Sequence, residues 1–277
     1  MSENRRDVWK SGPAPQMLTR PYYERLHSLE QRHGWHRGMR AYSNALLAPL
    51  LRGGAVRHVL DVGCGTGGML AWLRSFPGVR SVGLEYTRDA LAFCRAGGHH
   101  ELTEASALTL PFRSGVFDLL VCTDVLQHLP YPPGPEAALA EALRVLRPGG
   151  HLFLRTNSAW GETSSQAATY RRYLRSDLVA EVRAAGFIVQ RASYANLVPA
   201  LPTLARRRFL PRAAGHVHVE HDPGLQLQTR SPKLKWIDDA LAGVLRGEAG
   251  VLSNVGVDLP LGDSLLLLAG KPAGAGT

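Results

Sequence analysis

Asp61 stands two residues before Gly63 in the run Val59-Leu-Asp-Val-Gly-Cys-Gly-Thr-Gly-Gly68, which joins an apolar strand, a carboxylate and a glycine-rich turn. Glycines 63, 65, 67 and 68 keep side chains off a ligand lying along the backbone, and Met69-Leu-Ala-Trp-Leu73 then opens a helix whose first amides face it. Gly63-x-Gly65-x-x-Gly68 also satisfies the dinucleotide fingerprint, so the neighbours decide between a nicotinamide cofactor and S-adenosylmethionine. A carboxylate at 61 repels a pyrophosphate but suits an ammonium and a sulfonium. The turn is therefore expected to take S-adenosylmethionine, with S-adenosylhomocysteine as the spent form. Glu85 closes a second strand, where such folds place an acid on the ribose hydroxyls of either cofactor; it supports the fold and not the choice.

Positioning those residues requires a sheet. Extended and helical patterns alternate from about residue 57, which argues for a parallel sheet with helices on both faces. Strands are expected near 57–62, 79–85, 101–105, 116–123, 150–157, 187–194 and 264–270, with Arg147-Pro-Gly-Gly150 as the turn between a helix and the fifth strand. The chain of 277 residues, 45% hydrophobic, is long enough for one elaborated domain. Four parts are expected: a helical lid over 1–55 with an apolar helix from Ala41 to Leu51, a core over 56–195, a substrate cap over 196–263, and the last strand and tail over 264–277. The cap includes an amphipathic helix from Pro232 to Arg246, and the gap of about seventy residues before the last strand exceeds the short hairpin usual there.

The net charge of +9 raises a nucleic-acid reading, but the 32 basic residues include only 4 lysines, a bias of composition, and the runs Arg171-Arg172 and Arg206-Arg-Arg208 lack interleaved aromatics for base stacking. No nucleic-acid partner is expected. Cys64, Cys94 and Cys122 cannot all pair and read as reduced thiols. His216, His218 and Glu220 share a face of an extended run, yet no Cys/His spacing resembles a zinc site, and no metal is expected. With no apolar run long enough for a bilayer and no secretory leader, a cytoplasmic protein is expected. The apolar stretch Leu197–Leu204 followed by three arginines leaves open a weak peripheral contact with an anionic membrane. Oligomeric state is not legible.

The glycine turn, Val82-Gly-Leu-Glu85, Leu110-Pro-Phe-Arg-Ser-Gly-Val-Phe-Asp-Leu-Leu120 and Leu143-Arg-Val-Leu-Arg-Pro-Gly-Gly-His-Leu152 resemble, in order and spacing, successive motifs of class I S-adenosylmethionine-dependent methyltransferases. The resemblance covers roughly residues 55 to 195 and implies a Rossmann-like, seven-stranded, mostly parallel α/β sheet. His33 to Arg40, Tyr170-Arg-Arg-Tyr173, Tyr194-Ala-Asn196 and Pro232-Lys-Leu-Lys235 are similar to a bacterial small-molecule subgroup, type 11. Residue by residue, the resemblance implies Asp61, Gly63 and Gly65 at the methionine end, with Cys64 between them where a small side chain is needed. Glu85 falls on the ribose and Tyr86 beside the adenine. Ser106-Ala107 replaces the family's Asp-Ala, so adenine recognition falls to Ser106, Ala107 and Leu108.

Thr123-Asp-Val-Leu-Gln-His128 matches an acidic or polar strand end followed by Leu-Glu-His, with Gln127 as the departure. Thr123 is expected beside the cofactor. His128 is the candidate general base and substrate contact, against the alternative that it only packs and bonds backbone. Asn157 at the fifth strand end is a substrate candidate, and Tyr22 or Tyr23 in the lid is a cofactor contact. The expected function is methyl transfer to an oxygen or nitrogen of a small molecule, a bacterial specialised metabolite. Two alternatives stay open: a cyclase or eliminase using the same cofactor, and a non-enzymatic membrane-associated binding protein.

Overall fold

In the computed structural model, residues 18–130, 133–159, 171–201, 234–254 and 256–274 are described. Tyr170, Arg206–Arg208 and the His216–His221 run lie outside them. Two helices, α1 (Arg20–Arg32) and α2 (Gly34–Arg52), precede an alternating series: β1 (His58–Val62), α3 (Gly68–Leu73), β2 (Arg80–Glu85), α4 (Arg88–Ala96), β3 (Leu102–Glu104), β4 (Phe117–Thr123), α5 (Gly134–Val145), β5 (Leu146–Asn157), α6 (Arg175–Ala184) and β6 (Ile188–Ala195). A 20-residue helix, α7 (Lys235–Asn254), then leads to β7 (Ser264–Gly270).

The seven strands form one sheet in the order β3-β2-β1-β4-β5-β7-β6. All pairings are parallel except the two made by β7, which runs antiparallel to β5 and β6. The crossover between β1 and β4 opens a crevice at their carboxyl ends, where Asp61 and Thr123 sit. Strand interiors are apolar because both faces are covered: Val59, Leu60, Leu119, Leu120, Leu152 and Leu267 are all buried.

Most strand limits match the sequence within one residue, and β5 is the exception. It starts at Leu146 directly after α5, so Arg147–Gly150 lies inside the strand and not in a separate turn. The register shifts between Phe117 and Leu119, which face Leu146 and His151, and Gly149 takes a φ of 76°. The proline and glycines thus make an irregularity within a strand, a place that tolerates them.

The N-terminal helices and the late helix pack on each other. Asp238 Oδ1 accepts from the Gly34 amide at 2.9 Å, so a side chain of α7 caps the start of α2. The helices approach closely because α2 carries glycine at the crossing: a Cβ on Gly34 would lie 2.2 Å from the Asp238 carbonyl oxygen, and one on Gly38 would lie 2.3 Å from Leu245 Cδ1. α7 runs eight residues beyond the expected end at Arg246, since Glu248, Ala249 and Leu252 continue its buried face. Gly247 and Gly250 fall on its open side and do not stop it.

Candidate active site

A cavity of about 560 Å³ lies over the carboxyl ends of β1, β2, β4 and β5 and is roofed by α1 and α2. Every site residue singled out from the sequence lines it: Asp61, Gly63, Cys64, Gly65, Glu85, Tyr86, Ser106, Ala107, Leu108, Thr123, His128, Asn157, Tyr22 and Tyr23. The glycine turn is tight by necessity. Gly63 has φ 72°, and a Cβ there would lie 2.2 Å from Val125 Cγ2, so this position admits no side chain.

Three carboxyl groups converge on one side. Asp61 is fully buried, and neither of its oxygens meets a donor among the described residues. Burial, with Glu30 and Glu85 nearby, pushes its pKa up to about 8. Glu85 is engaged locally: Oε2 accepts from the Gly65 amide at 3.0 Å and Oε1 from the Tyr86 amide at 2.6 Å. Glu85 thereby ties the end of β2 to the glycine turn. Glu30 reaches down from α1 to accept from the Thr66 hydroxyl, and burial raises its pKa.

Cys64 packs inward, with its Sγ 3.9 Å from that of Cys94, so it supports the turn. Ser106 Oγ accepts from the Leu108 amide at 3.2 Å, a local turn that fixes the loop after β3. Tyr22 and Tyr23 meet edge to face at 5.3 Å, and Tyr23 is the buried member.

Across the cavity the character changes. His128 ends a 3-10 turn at Leu126–His128, and burial lowers its pKa to about 4. His36 of α2 is lowered further, to about 3, by burial and by the Arg155 guanidinium. Both imidazoles are neutral at physiological pH. Arg155 on β5 donates through Nε to Asp124 Oδ2 at 3.0 Å and lies 5.5 Å above the Trp35 ring. Asp124 holds a left-handed backbone, φ 60°, with its amide bonded to the Arg155 carbonyl at 2.8 Å. Arg40 Nη1 donates to the Glu30 carbonyl at 2.9 Å.

Glu30, His36, Arg40, Asp124 and Arg155 escaped the sequence reading. Asp124 lies inside the Thr123–His128 motif and Arg155 just after the Leu143–Leu152 one, and their adjacency follows once β4 and β5 pair. The other three come from α1 and α2, whose placement over the sheet no spacing in the chain encodes.

The residues fit the cofactor that the glycine turn implies. A buried carboxylate with no protein donor is costly unless a cation meets it, and S-adenosylmethionine carries an ammonium and a sulfonium. Asp61, the amides of the turn and Glu85 would hold its methionine and ribose parts.

A family model described as a methyltransferase domain matches residues 60–154, the span from Asp61's strand through β5. Over this span the chain carries a methyltransferase domain. This domain is similar to a ubiquinone biosynthesis O-methyltransferase of Aromatoleum aromaticum, 33% identical over 111 residues, which are 37% of this chain and 44% of that protein. The chain spans about half the length, or less, of the first curated relatives it matches. In fold it is similar to a methyltransferase of Haloferax volcanii solved with the Trm112 methyltransferase activator (TM-score 0.59, 18% identity, 95% of this chain and 100% of that one). It is also similar to Haemonchus contortus phosphoethanolamine N-methyltransferase 2 solved with S-adenosyl-L-methionine (TM-score 0.55, 18% identity, 98% of this chain and 60% of that one). Among the described residues no group of three or more His, Cys, Asp or Glu is placed to hold a metal, and no helix is long and apolar enough to cross a membrane.

Proposed function

We propose that the protein transfers the methyl group of S-adenosylmethionine to an oxygen or nitrogen of a small molecule. The observation that carries this reading is Asp61: a wholly buried carboxylate, without a protein donor among the described residues, facing the cavity at the end of β1. Bound there, the cofactor supplies an electrophilic methyl at its sulfonium. Asp61 and the glycine turn hold its methionine end, Glu85 and Tyr86 its ribose and adenine, and Ser106, Ala107 and Leu108 the adenine edge. Thr123 and one of Tyr22 and Tyr23 complete the cofactor wall.

The rest of the cavity serves the acceptor. Methyl transfer to an oxygen or nitrogen needs the nucleophile about 3 Å from the carbon, in line, with competing water excluded. The walls from α1 and α2 exclude water, and Asn157 orients the acceptor. His128, neutral above about pH 4, accepts the proton that the acceptor loses. The volume of about 560 Å³ holds the cofactor and part of an acceptor, which suits a bulky molecule that reaches out beneath the cap, such as a specialised metabolite. A small-molecule acceptor also agrees with the relative that methylates an oxygen in ubiquinone biosynthesis.

Incubation with methyl-labelled cofactor and fractionated small-molecule extracts tests the reading. Label is expected in a low-mass product one methyl heavier than its precursor. Cofactor-loaded protein that labels nothing, or that changes a substrate without a gain of mass, would contradict it.

A further inference from the structure

Gln127 is the one departure from the Leu-Glu-His pattern, and the structure gives that departure a consequence. Its side chain is 1% exposed, lies in the turn between β4 and α5, and lines the cavity beside His128 and Asn157. Oε1 accepts from the Thr156 hydroxyl at 2.8 Å and from the Asn157 backbone amide at 3.3 Å. A backbone N–H can only donate, so the atom that meets it must be the oxygen, and the orientation of the amide is fixed. The NH2 group is therefore held on the other side, where no acceptor among the described residues meets it. Gln127 is among the residues that line the cavity.

A buried amide with its oxygen doubly engaged and its nitrogen turned to a cavity is a donor without a lone pair to meet. Glutamate at this position would keep both accepting bonds and turn a carboxylate oxygen to the same place. The two residues differ in what they present, a donor or a charged acceptor, and not in shape. We infer that Gln127 is a specificity-determining residue of the acceptor subsite, donating through Nε2 to a lone-pair oxygen of the methyl acceptor, a carbonyl, carboxylate or phenolate, and disfavouring an ammonium. This rests on the methyl-transfer reading and narrows it, since a protonated amine has no lone pair for this donor. Placement supports the acceptor rather than the cofactor as partner: Gln127 bonds β5, beyond β4, while most of the cofactor groups follow β1, β2 and β3.

The test uses two probes of similar size, acetophenone, which only accepts, and benzylamine, which is an ammonium at pH 7.5. Each is titrated into protein saturated with S-adenosylhomocysteine. Wild type is expected to bind acetophenone more tightly, with the side-chain amide resonances of Gln127 shifting on addition. Gln127→Glu is expected to weaken acetophenone and strengthen benzylamine by about 10-fold each, with S-adenosylhomocysteine affinity within about 2-fold of wild type. An unchanged preference in Gln127→Glu, or failure of saturated wild type to bind either probe, would overturn the assignment. So would a loss of S-adenosylhomocysteine binding confined to Gln127 variants, which would give the amide to the cofactor. If wild type itself does not bind S-adenosylhomocysteine, the methyl-transfer reading fails first, and that result is separate from these.

Discussion

The Tyr42 phenol donates to the carboxylate of Glu248, joining α2 to α7 across 206 residues of chain. The same carboxylate accepts from the Leu197 and Val198 amides at 2.9 and 2.8 Å, and so caps the start of the helical segment that follows β6 at Leu197. The Tyr42 oxygen in turn accepts from the Asn196 amide at 3.2 Å. One acid thus ties together the N-terminal helices, the edge of the sheet and the late helix. Glu248→Ala leaves three donors without their acceptor in a buried place and is expected to lower unfolding free energy by about 3 kcal/mol, against about 1 kcal/mol for Tyr42→Phe. Denaturant unfolding of the two variants checks the order.

Gly38→Ala provides a sign test of the α2–α7 contact. In an ordinary helix the change stabilises by about 1 kcal/mol. Here the new Cβ would lie 2.3 Å from Leu245 Cδ1 and 2.5 Å from Leu245 Cβ, so the leucine must move. The expected result is a net loss of about 1–3 kcal/mol, and because Leu245→Ala keeps the Leu245 Cβ in place and empties a buried site, the double variant is expected to fall below both single variants. Thermal unfolding of the single and double variants measures it.

The two buried imidazoles give acid sensitivity. His128 falls to about 4 and His36 to about 3, both below the ordinary 6.5, and burial is the main cause in each. The unfolded chain therefore takes up protons that the folded chain refuses, so stability is present above pH 6.5 and is lost as pH falls toward 4 and then 3. His128→Gln is expected to flatten the decline between pH 6.5 and 4 in a pH series of unfolding free energies. If His128 is the base, methyl transfer in the same variant falls by about 10²-fold or more while S-adenosylhomocysteine still binds.

Asp61 has the opposite sign. Its folded pKa of about 8 lies above the ordinary 3.8, so its protonated form favours the folded state, and stability is lost as pH rises from about 4 to 8. Asp61→Asn removes this dependence. Without cofactor, the variant is expected to melt above wild type at pH 8, with the gap closing toward pH 4, as differential scanning calorimetry would record.

The strands and the glycine turn were legible because each carries its own signal: apolar β-branched runs, a carboxylate at a strand end, glycines at fixed offsets. Helix α7 continues past the expected end at Arg246 because the buried face of Glu248, Ala249 and Leu252 outweighs Gly247 and Gly250. Arg147-Pro-Gly-Gly150 was read as a turn because the bulge that absorbs it depends on the partner strand. Glu85 was legible as a site residue, but its bond to the Gly65 amide was not, since it arises from two separate chain segments meeting. Glu30, His36 and Arg40 share that cause: a helix pattern reports which face is buried and not what it is buried against.

The central claim is that Asp61 is the counterion of a cationic cofactor, and proton linkage tests it most directly. At pH 7 a carboxyl group with a pKa of about 8 is mostly protonated in the free protein, and it must ionise to meet an ammonium. Calorimetric titration with S-adenosylmethionine in buffers of different ionisation enthalpy is predicted to show proton release at pH 7. The release should be smaller in Asp61→Asn, whose affinity falls about 10-fold or more. Binding of equal strength by Asp61→Asn, with the same proton release as wild type, would contradict the account.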